Sequence, residues 1–163
     1  MMYFSEQFAQ QDTDVIIYKG KAVRQFFSYA DKGKAILRFE FIKSSSNYDQ
    51  AIVLGLDSFK GDIAIDGKPI KKPKGAFPQV ILEQKYAPKQ FEVSINLVEG
   101  DLAIFNASDP LGTGEIWESL FGGCAMIIEE KCDNQFVFYC NDHENDDDFD
   151  DLVFELTVLK SQE

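Results

Sequence analysis

The chain has 163 residues, 45% of them apolar and 15 of them phenylalanine, enough for one domain with a sizeable core, which excludes a disordered chain. Its formal net charge of −12 repels phosphate backbones and anionic lipid, so neither nucleic acid nor membrane is an expected partner. No run approaches the ~20 apolar residues that cross a bilayer, and the opening "MMYFSEQFAQQDTD" lacks the basic and apolar parts of a secretory signal; the expected location is the cytoplasm, or outside the cell for a shortened chain.

In chain order, residues 3–11 carry a weak signal for a short helical turn, and residues 1–12 are expected to be loosely ordered. Period-2 patterns then take over. "DVIIYKG" (14–20) and "AVRQFFSYA" (22–30) read as strands, and the turn "DKGK" leads into "AILRFEFIK", where Leu37, Phe39 and Phe41 alternate with Arg38 and Glu40. "QAIVLGL" (50–56) is apolar on both faces, as in a strand covered on both sides. "GDIAIDGKPI" holds an Asp66-Gly67 hairpin signal. A Lys- and Pro-rich stretch, 66–78, interrupts the rhythm as a loop or ragged edge. "QVILEQ" (79–84) precedes the cleanest strand, "QFEVSINL", with Phe91, Val93, Ile95 and Leu97 on one face. A two-residue loop at Glu99-Gly100 would pair Leu97 with Leu102 and Ile95 with Ile104 in a hairpin. Residues 106–123, rich in Gly and holding the only Trp, read as a long loop of functional character. "GCAMIIEE" (123–130), "QFVFYC" (135–140) and "LVFELTVL" (152–159) complete the strands. The spacing predicts one domain over 1–163, an all-β, antiparallel, jelly-roll-like β-sandwich of eight to ten strands with little helix.

The chemistry concentrates in "NDHENDDDFDDLVFEL" (141–156). Seven carboxylates and the only histidine, His143, fall within Asp142–Asp151, without a Lys or Arg. Setting those seven aside leaves 21 acidic against 16 basic residues, so much of the acidity is local. In extended backbone, residues two apart point the same way. Glu144, Asp146, Asp148 and Asp150 can therefore converge on one cation, and calcium, which takes six to eight hard oxygens in a flexible loop, is the metal they suit. An EF-hand does not fit: Phe149 stands where the loop needs glycine, and a strand follows. Acidic runs also serve as solvated turns and as guards against edge pairing. The Lys-rich loop at Lys68–Lys74 is a second way to neutralise the charge, within the chain or between copies.

The residues "DDDFDDLVFEL" (146–156) resemble the Asp-rich last-strand motif of calcium-associated bacterial β-sandwich domains, of the domain-of-unknown-function 4114 type. The matching positions are Asp146, Asp148, Phe149, Asp150, Asp151, Leu152 and Val153. The resemblance implies that Asp146, Asp148, Asp150 and Asp151 bind a cation or cap a turn before the final strand. Those domains are secreted and glycine-rich, whereas this chain shows neither feature.

Catalysis finds little support. One His leaves no dyad, and neither GxSxG nor HExxH occurs. Cys124, Cys132 and Cys140 lack zinc spacing and read as thiols in strands in a reducing compartment. No catalytic residue is assigned. For a small molecule or glycan, Trp117 in its Gly-flanked loop, with Glu115 and Tyr139, is the candidate stacking set. The expected function is a non-catalytic binding or accessory module. Its acidic loop (Glu144, Asp146, Asp148, Asp150, Asp151) takes a divalent cation, calcium, or meets a basic protein surface. The alternatives are a glycosidase- or lyase-type enzyme on the same fold, marked by two carboxylates beside Trp117, and a self-assembling structural protein.

Overall fold

The structure, a computed structural model, describes residues 3–46, 48–72, 78–109, 124–142 and 148–160. Among the described residues it opens with a helix, α1 (Phe4–Gln11), and the other regular elements are strands. These are β1 (Val15–Tyr18), β2 (Lys21–Arg24), β3 (Phe27–Tyr29), β4 (Gly33–Ser44), β5 (Asp49–Gly55), β6 (Lys60–Ile65) and β7 (Lys68–Pro69). Then come β8 (Gln79–Glu83), β9 (Gln90–Glu99), β10 (Leu102–Asp109), β11 (Ala125–Cys132), β12 (Gln135–Asn141) and β13 (Leu152–Lys160). Every pairing is antiparallel. A nine-stranded sheet runs β1-β2-β11-β12-β13-β4-β9-β6-β7, and a four-stranded one runs β3-β10-β5-β8. The architecture is all-β and sandwich-like, as the alternating pattern predicts. Among the described residues thirteen strands replace the expected eight to ten, because short edge strands such as β7 carry no periodic signal.

One core joins the two sheets. Leu37, Phe39, Val93, Phe138 and Phe154 of the large sheet meet Ile52, Leu54, Leu102 and Ile104 of the small one, all fully buried. Phe138 and Phe154 stack at 4.4 Å, and Phe39 stacks on Phe91 at 5.3 Å. Such pairs add roughly 0.5–1.5 kcal/mol beyond the area they bury. β5 is buried along nearly its whole length, as its continuous apolar run requires. The hairpin at Asp66-Gly67 also forms: both residues take positive φ, 47° and 82°, and Ile65 pairs with Lys68.

Two expectations are corrected. β9 and β10 do not form a hairpin, since β9 lies between β4 and β6 in the large sheet while β10 lies between β3 and β5 in the small one. The turn at Gly100 instead hands the chain from one layer to the other. Alternation marks a core-facing side on both strands, but either partner satisfies that. The turn is tight: Gly100 has φ +81°, and a Cβ there would lie 1.6 Å from the Ser58 carbonyl oxygen. The next residue, Asp101, fastens it by accepting hydrogen bonds from the Ser28 and Ser58 hydroxyls. Likewise, the single strand expected over 22–30 is two: it breaks at Gln25-Phe26, where β2 leaves the large sheet and β3 joins the small one.

α1 is a full helix. Phe4 and Phe8, one turn apart on the same face, are buried in a second, smaller cluster with Ile16, Val23, Ala125 and Phe149. This cluster lies on the side of the large sheet turned away from the main core. The helix stops at Asp12, whose left-handed backbone (φ 51°) lets the N–H groups of Asp12 and Thr13 close back onto the carbonyls of Ala9 and Phe8.

Candidate metal centre

The acidic stretch connects the end of β12 to the start of β13, neighbours in the large sheet with Cys140 opposite Leu152. Both ends of the connection are pinned. Asp142 and Asp151 are 3% and 4% exposed, and the Asp142 N–H donates to the Asp151 carboxylate at 2.9 Å. The Ser46 hydroxyl donates to Asp142 and itself accepts from the Tyr48 N–H. The Ser45 N–H donates to the Asp151 carbonyl at 3.1 Å. From the small sheet, the Asn106 amide donates to the Asn141 carbonyl at 2.8 Å. These bonds replace the water that buried carboxylates lose.

Between the ends, Phe149 turns inward. It is 7% exposed, packs 5.4 Å from Phe4 beneath α1, and adopts a left-handed backbone with φ 51°. For an aromatic residue that conformation costs on the order of 1–3 kcal/mol, which burial of the ring in the helix cluster offsets. The consequence falls on its neighbours. Carboxylate oxygens of Asp148, Asp150 and Asp151 lie within 4.8 Å of one another. A straight strand would send Asp150 and Asp151 to opposite sides; the backbone turn at Phe149 accompanies their convergence. Burial, followed by the negative charge of Asp150, pushes the Asp148 carboxyl above its usual range. Lys43 of β4 approaches Asp150 at 3.8 Å in a largely solvated pair, a contact of small energetic weight.

Of the residues expected to ligate a cation, the structure brings together Asp148, Asp150 and Asp151, and this triad can hold a metal ion. Glu144 and Asp146 lie outside the described residues, as do Trp117, Glu115 and His143. Tyr139 is half-buried against the helix cluster, opposite Val153 of β13. Among the described ion pairs, Lys43 meets the acidic corner at Asp150, a residue the sequence pattern did not single out. Lys72 of the Lys-rich loop donates to its own neighbourhood, the carbonyls of Asp57 and Phe59. The parts played by Asp142, Ser46 and Phe149 were missed as well. The one local clue to them is a lone aromatic set between aspartates.

The three cysteines are free, Cys124 and Cys140 buried and Cys132 exposed. Burial pushes the Cys140 thiol well up, with Cys124 and Asp151 adding to the rise. Among the described residues no helix is long and apolar enough to cross a membrane. Comparison with protein-family models, with curated proteins and with solved structures gives no match.

Proposed function

We propose that the chain is a non-catalytic binding or accessory module whose acidic corner takes up a divalent cation of the calcium type. The observation that carries this reading is the convergence of three carboxylates, Asp148, Asp150 and Asp151, within 4.8 Å. Burial, followed by the charge of Asp150, raises the Asp148 carboxyl, and a hard cation would relieve both. Calcium accepts irregular sets of six to eight oxygens and leaves several places for backbone carbonyls and water. The resemblance of residues 146–156 to calcium-associated sandwich domains points the same way. A loaded corner would then present the module's rim to a small molecule or glycan.

A second reading is favoured by the Lys43 contact, which shows a side-chain ammonium next to Asp150. On that reading the corner receives lysines of a basic protein surface, or of another copy of the chain. The glycosidase or lyase alternative needs paired carboxylates beside Trp117, which lies outside the described residues.

A thermal melt with and without calcium separates these readings. Calcium at ~100 times its dissociation constant should stabilise the native state by roughly 2.7 kcal/mol, a rise of about 5–10 °C for a domain of this size. The double substitution Asp148→Asn with Asp150→Asn should abolish the rise. An unchanged midpoint at millimolar calcium rejects the metal and leaves the basic partner.

A further inference from the structure

A second site lies where the two layers fail to match. Nine strands cannot be covered by four, and the small sheet stops at β3, only three residues long. Beyond that edge the core-facing side of β11 and β12 is left partly open. Ile128 and Phe136 there are only half-buried. Phe27 closes one wall, its ring 5.1 Å from Phe136 and 5.5 Å from Phe138. Phe26, at the crossing between the sheets, also lines the cleft. Its volume is about 390 Å³, within the range of small-molecule sites.

Three charged residues also line this cleft: Arg24 at the end of β2, Asp14 just before β1, and Glu130, the cross-strand partner of Phe136. Among the described residues none of the three enters an ion pair, although both signs line one cavity. A guanidinium, two carboxylates and phenyl walls, all unpaired by charge, form the complement of a molecule with an anionic end, a cationic end and an apolar body.

We propose that this cleft binds a free α-amino acid with an aromatic side chain. The ring packs among Phe27, Phe136 and Ile128, in the tilted or offset contacts that aromatic groups prefer. The α-carboxylate takes the guanidinium of Arg24, whose planar fork suits it. The ammonium goes to Asp14 and Glu130. A purely cationic ligand would leave Arg24 repelling it, and an anionic one would face two carboxylates, so the zwitterion is the form that uses all three charges. The site is independent of the acidic corner.

The experiment is a titration of the full chain with L-phenylalanine, phenethylamine and 3-phenylpropionate, followed through the NMR signals of Ile128 and Phe136. L-Phenylalanine should give saturable shifts, with each truncated analogue at least ~10-fold weaker, the scale of one charge-assisted hydrogen bond. Arg24→Gln should weaken phenylalanine by at least ~10-fold while leaving the melting midpoint and the calcium response unchanged, because Arg24 is exposed and unpaired. The proposal is overturned by the absence of saturable shifts up to about 10 mM, by phenethylamine binding as tightly as phenylalanine, or by Arg24→Gln leaving affinity intact.

Discussion

Replacing Asp148 by Asn should make the protein more stable when no divalent cation is present. The amide has nearly the shape of the carboxyl and keeps hydrogen-bonding groups toward Asp150 and Asp151, the two side chains that Asp148 engages. What it removes is a negative charge that is partly desolvated and faces the charge of Asp150 across no more than 4.8 Å. In water-like surroundings such a pair repels by about 0.9 kcal/mol, and physiological salt trims this to about 0.5 kcal/mol. Only Asp150 acts on Asp148 as a repelling charge, whereas the hydrogen bond to Asp151 favours the charged form, so the expected gain is about 0.5 kcal/mol, or roughly 1–2 °C in the melting midpoint. The pH dependence fixes the sign. The Asp148 carboxyl titrates higher in the folded chain than in the unfolded one, so its penalty is complete above the folded value. It fades as pH falls through that value toward the ordinary carboxylate range. The advantage of the variant should therefore be largest at neutral pH and low salt, and should shrink on acidification. Melts followed by circular dichroism in chelator, at two ionic strengths and two pH values, measure it. A variant that melts at or below the wild type at neutral pH and low salt would show that these carboxylates are not in tension, and the case for a cation there would lose its physical basis.

Gly100→Ala should be far more damaging than Gly33→Ala, although both positions have positive φ, +81° and +100°. At Gly33 nothing lies within 4 Å of the added carbon, so only backbone strain of ~1–2 kcal/mol is expected. At Gly100 the carbon would sit 1.6 Å from the Ser58 carbonyl, and a loss above ~3 kcal/mol is expected; equal shifts in the two urea midpoints would contradict the layer-crossing turn. In the native protein a thiol-specific disulfide reagent should modify Cys132 rapidly and spare buried Cys124 and Cys140, whereas all three thiols should react after denaturation; fast native modification of Cys140 would mean that its surroundings open readily.

The all-β class was legible because period-2 alternation is a backbone property that burial reinforces, as in Phe91, Val93, Ile95 and Leu97. The hairpin at Asp66-Gly67 was legible because its turn chemistry is local. Partner choice was not. Nothing within β9 and β10 distinguishes a hairpin from a step between layers; the decision rests on contacts with β4, β5 and β6, distant in sequence. The acidic stretch was visible as composition, yet the convergence of Asp148, Asp150 and Asp151 accompanies the turn at Phe149, whose burial depends on α1, distant in sequence. The cleft beside β3 was missed because residues 22–30 read as one strand, although Arg24-Gln25 followed by Phe26-Phe27 interrupts the alternation where the chain crosses between the sheets.

The ring of Phe149 makes α1 and the residues just before β13 a single mechanical unit. Whatever draws Phe4 and Phe8 off the sheet also removes the packing around Phe149, the residue set between Asp148 and Asp150. On the cation reading proposed above, occupancy of the corner and retention of α1 should rise and fall together, so that protease sensitivity near Gln11 would gauge that occupancy.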